Sequence, residues 1–94
     1  MTDEIKQPLP PASIESLFYM LGTSAMVNLG LVPDPTNQKT TTNLELAKHN
    51  IDTLGIMQKK TVGNLTSDES RLLDDLLYDL RMKYVRATSQ NEKK

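Results

Sequence analysis

The sequence predicts an all-α protein: one small domain of three helices, at about 13–30, 42–62 and 66–88, with flexible termini and paired as a dimer. Three observations lead there. Apolar residues recur at steps of three and four in three separate segments, the period of a helix, and no strict alternation lasts long enough to build a sheet. Aromatics are scarce, with no Trp, one Phe and three Tyr, so burial rests on aliphatic side chains, and a chain this small without disulfides often gains stability by associating. Finally, Ser16–Val32 carries no charge although 24% of the chain is charged. A helix made of it is apolar on nearly every side, more than two sibling helices can cover.

The first twelve residues, with two acids, one lysine and three prolines, lack the basic cluster and apolar run of a secretory signal. They read as a disordered lead-in, 1–12, to a helical domain at 13–88. Helix one starts at Ser13, a serine cap with Glu15 in the first turn, and stops at Gly30 ahead of Pro33. The connector LVPDPTNQKTTT is polar and broken by two prolines, and it is long for a helical hairpin, so helices one and two need not be neighbours. In helix two, Thr42 and Glu45 have capping-box spacing. Leu44, Ala47, Ile51 and Leu54 form its stripe, with Met57 and Val62 close to it, and Gly63 ends it. Gly55 weakens its middle.

Helix three is the most strongly patterned. Thr66 and Glu69 form a second capping-box spacing, and Asp68 and Glu69 sit at the positive end of the helix dipole. Leu72, Leu73, Leu76, Leu77, Leu80 and Tyr84 make one broad stripe. Arg81, Lys83 and Arg86 gather toward the negative end, and Asp79 can pair with Lys83 across a turn. The polar segment 89–94 reads as a disordered tail.

The uncharged stretch poses a choice between lipid and protein. Its seventeen residues span about 26 Å as a helix, short of the ~30 Å hydrocarbon core of a bilayer. Glu15 and Asp34 close it on either side, and no basic residue flanks it. Enclosure by protein fits better. Gly22, Thr23, Ser24 and Ala25 place four small side chains in one turn, where another backbone can approach closely. A second copy, or another protein partner, is the expected cover, with Phe18, Leu21, Gly22, Ala25 and Leu29 at the interface. Tyr78, which projects from helix three away from Leu76 and Leu80 and among charges, joins them as an interface aromatic.

The runs LVPDP, KTVGNLTSDE and LLYDLRMKY, together with TSAMVNLG, resemble the bacterial domain-of-unknown-function family 1844, over roughly Leu17 to Val85. The resemblance implies a small helical bacterial protein. It brings no activity, cofactor or site residue with it.

The chemistry-bearing residues do not converge. There is no cysteine, hence no thiolate nucleophile, disulfide or cysteine-ligated metal, and a reducing cytoplasm fits. His49 is the lone histidine and reads as a surface residue. Asp74, Asp75 and Asp79 lie within six residues, yet Arg71 and Lys83 relieve them, so they read as solvated helix surface. The four glycines are dispersed and cradle no phosphate. Net charge is −1, which gives no long-range pull on nucleic acid, and the basic spots Lys59-Lys60 and 86–94 lack stacking aromatics. The sequence therefore points to a non-enzymatic cytoplasmic protein without cofactor or metal, one that self-associates and serves as an interaction or adaptor subunit for a larger protein. A membrane-associated accessory protein using segment 16–32, or a weak RNA-associated factor, is the alternative.

Overall fold

The computed structural model describes residues 11–92. Three helices follow in order: α1, Ile14–Asn28; α2, Leu44–Lys60; and α3, Ser67–Glu92. The expected lead-in falls outside the described residues apart from Pro11 and Ala12.

Each terminus has a local cause. Ser13 caps α1, its hydroxyl accepting from the Ser16 amide at 3.1 Å. At the other end the Leu31 amide donates to the Met26 carbonyl and the Gly30 amide to the Val27 carbonyl, each at 3.0 Å. This crossed pair is a Schellman ending, and it requires the left-handed backbone that Gly30 adopts at φ 79°. A Cβ on Gly30 would also collide with the Thr42 hydroxyl.

That contact bears on the start of α2, which differs from the expected Thr42–Glu45 box. Asn43 is the cap: its side-chain oxygen accepts from the Leu46 amide at 3.0 Å, and the helix begins one residue later. Asparagine caps better than threonine, and the Thr42 hydroxyl sits against Gly30 instead. The box expected at α3 is present, with the Thr66 amide donating to Glu69 at 2.9 Å and the Glu69 amide donating to the Thr66 hydroxyl at 3.1 Å. α3 then continues to Glu92, beyond the expected end at 88. No Gly or Pro interrupts that segment, and the Thr88 hydroxyl donates back to the Val85 carbonyl at 2.9 Å.

The connector between α1 and α2 does not separate them. It doubles back on itself, with the Asp34 amide bonded to the Lys39 carbonyl at 2.8 Å and the Gln38 amide to the Asp34 carbonyl at 2.7 Å. The Asn43 amide then donates to the Asn28 carbonyl at 2.8 Å, tying the start of α2 to the end of α1. About two turns into α2, Asn50 accepts from the Asn28 side-chain amide at 2.8 Å. So α1 and α2 are direct antiparallel neighbours, an arrangement that loop length left open.

α3 returns alongside α1 and antiparallel to α2, as the facing pairs Gly22–Leu76, Gly55–Arg81 and Gln58–Asp74 show. The core is the meeting of three stripes. Phe18, Ala25 and Leu29 come from α1 and its cap, Ala47, Ile51 and Leu54 from α2, and Leu73, Leu77 and Leu80 from α3. Leu72, Leu76 and Tyr84 pack partly buried against them. Val62, expected near the α2 stripe, lies past the end of the helix and is exposed.

Candidate functional site

What the core leaves outside defines where another molecule can bind. The residues expected at an interface between copies divide in two. Phe18, Gly22, Ala25 and Leu29 are buried within their own chain, and Leu21 is half-buried. The small-residue turn is the seat of α3: a Cβ on Gly22 would lie 3.1 and 3.2 Å from the two Leu76 methyls. The close approach read from GTSA is thus real, but the approaching helix belongs to the same chain. Tyr78 is the expected interface residue that stays open, at 69% exposure.

Ten large apolar side chains are exposed among the described residues; Leu31, Leu46, Ile56 and Val62 lie elsewhere, and the other six fall on two surfaces. One is the outward side of α1, where Leu17, Tyr19 and Met20 are exposed, Met20 at 67%. The sequence signal for it was the apolar character of this helix on its far side. The other is on α3, where Met82 at 45% and Val85 at 58% follow Tyr78. Tyr78, Met82 and Val85 stand at steps of four and three, the spacing that aligns side chains in one row along a helix. Met82 and Val85 are exposed residues of this row that sequence reading passed over, because the leucine stripe on the opposite side of α3 dominates the pattern.

Charges border this second row. Asp79 receives two hydrogen bonds from Lys83, at 2.7 and 2.8 Å, the ion pair expected from their spacing. Asp74 accepts from Gln58 at 2.7 Å. The Arg81 guanidinium lies over Gly55, which offers no side chain to lift it. Among the described residues, Arg71, Asp75 and Arg86 make no ion pair.

The remaining candidates offer no converging chemistry. No group of three His, Cys, Asp or Glu side chains is gathered closely enough to hold a metal among the described residues. His49 is exposed on α2. An open cleft of about 210 Å³ near the C-terminal half of α3 has Leu29, Leu31 and Ala87 as apolar lining and Lys83 and Arg86 at its edge. No described helix is long and apolar enough to cross a membrane.

A family model described as "Domain of unknown function (DUF1844)" matches residues 11–86. The chain belongs to this family. The match takes in all of α1 and α2 and most of α3, including both apolar surfaces. Neither a curated protein nor a solved structure matches the chain.

Proposed function

We propose that the protein is a non-enzymatic helical subunit that self-associates and serves as an interaction or adaptor module in the cytoplasm. One observation carries the reading: after all three helices have packed, a row of large apolar side chains on α3 still faces outward, and α1 keeps Leu17, Tyr19 and Met20 exposed. Scattered exposed apolar residues are ordinary, but aligned rows mark surfaces for another macromolecule. The absence of cysteine from the sequence fits a reducing compartment.

The test is the solution mass. Light scattering coupled to size exclusion at micromolar concentration should give a multiple of the 10.6 kDa chain. A 10.6 kDa particle at every accessible concentration refutes self-association. The membrane alternative draws on the outward side of α1. It gains if the protein co-sediments with anionic vesicles, and it falls if the protein stays in the supernatant.

A further inference from the structure

We propose that two copies of this chain pack antiparallel along the outer row of α3, Tyr78, Met82 and Val85. The proposal rests on the self-association reading and gives it a place and an orientation.

The spacing comes first. Asp75, Tyr78, Met82, Val85 and Ser89 follow one another at steps of three and four, the repeat that keeps one side of a helix turned toward a partner helix. The same helix carries Leu73, Leu77, Leu80 and Tyr84 at the same steps, turned to the core. So α3 has two seams, of which the fold fills one. The outer seam is uncovered in the single chain, with Tyr78, Met82 and Val85 all exposed.

Charge selects the occupant. Over 67–79 α3 holds Asp68, Glu69, Asp74, Asp75 and Asp79 against Arg71 alone, and over 80–92 it holds Arg81, Lys83 and Arg86 against Glu92. A parallel copy would set acid on acid and base on base. An antiparallel copy sets each acidic half on the other's basic half, twice over because the contact is two-fold symmetric. The helix dipoles oppose as well. The two-fold axis then passes near Leu80. Tyr78 of each copy meets Met82 of the other, and Arg86 of each lies beside Asp75 of the other. Asp79, close to the axis, is already neutralised by Lys83. The outward side of α1 has no charge and so gives no comparable reason to prefer a second copy.

A seam one helix wide lies at the small end of interface sizes, so the dimer should dissociate at micromolar concentration. Sedimentation equilibrium across ~1 to ~200 µM reads the dissociation constant. Asp75→Arg and Arg86→Asp should each raise it at least about tenfold, since each turns two attractive contacts into two repulsive ones. The double variant Asp75→Arg/Arg86→Asp should dimerise again, and an equimolar mixture of the two single variants should form the heterodimer. Neither restoration arises from damage to the fold. Met82→Glu should abolish the dimer while circular dichroism stays helical. A wild-type chain that is monomeric throughout overturns both this proposal and the self-association reading. A wild-type dimer indifferent to Met82→Glu and to both charge reversals overturns the α3 seam alone and leaves self-association standing on another surface.

Discussion

Asn28 ties two helices with two different groups: its carbonyl, orphaned at the end of α1, accepts from the Asn43 amide, and its side chain donates to Asn50. Among the described residues Asn50 is the one polar side chain in the buried set, and no buried side-chain nitrogen or oxygen of theirs lacks a partner. Removing one member of such a pair leaves the other desolvated, whereas removing both removes the need. Asn50→Ala should therefore cost about 1–3 kcal/mol, while Asn28→Leu/Asn50→Leu should be close to neutral. A denaturant-unfolding cycle of the single and double variants checks this, and additive losses would show that the pair is not coupled. The same residue scale settles the GTSA turn. Gly22→Ala trades roughly 1 kcal/mol of helix propensity against pressing the Leu76 methyls, which sit at the ends of a flexible side chain. Val at the same place overfills the site.

Among the elements, the caps separate what spacing alone reveals from what needs the neighbouring chain. Thr66–Glu69 forms the box its spacing implies, and Thr66→Ala should cost about 1 kcal/mol. Thr42–Glu45 has identical spacing and forms none, because Asn43 is the stronger cap and the Thr42 hydroxyl abuts Gly30, twelve residues earlier in the chain. Asn43→Ala should accordingly cost about 1 kcal/mol and Thr42→Ala less than about 0.5, with thermal melts of both variants as the measurement. The α1–α2 connector has a titratable pivot of its own. Asp34 accepts from both the Thr36 amide and the Thr36 hydroxyl, and these bonds hold its carboxyl below the ordinary 3.8. A lowered folded-state pKa stabilises the fold above the ordinary value, and that contribution is lost as pH falls through the folded one. The Thr36 amide resonance should therefore shift with a midpoint below pH 3.8. A midpoint at or above that value would show that the turn does not favour the charged form.

For the whole molecule, three helices and the residues of their stripes were legible in the sequence because each stripe recurs at the helical period: Leu73, Leu77 and Leu80 are buried as their spacing implies. What covers α1 was not legible, since hydropathy shows that Gly22 and Ala25 admit a close neighbour but not that Leu76 of the same chain supplies it. Loop length left the α1–α2 pairing open, because the bonds that fold the connector back on itself are local to Asp34 and Lys39. Of the candidate site only Tyr78 was legible, the outer-row member whose aromatic ring stands out among charges. The size of the domain then fixes how it fails. At roughly 0.05–0.15 kcal/mol per residue, the described residues hold about 4–12 kcal/mol in total. Leu77, fully enclosed where the three stripes meet, should lose about 2–5 kcal/mol on replacement by Ala. That is a large part of the whole, so Leu77→Ala should melt well below the wild type and, at a temperature within its own transition, be partly unfolded when dilute. If only the folded chain can present the outer row of α3, association draws the equilibrium back by mass action, and the helical signal should recover as concentration rises. Far-UV circular dichroism of Leu77→Ala across ~1 to ~100 µM reads this directly. A folded fraction independent of concentration would mean that folding and association are not linked. Recovery that disappears when Met82→Glu is added would place the linkage on the outer row of α3.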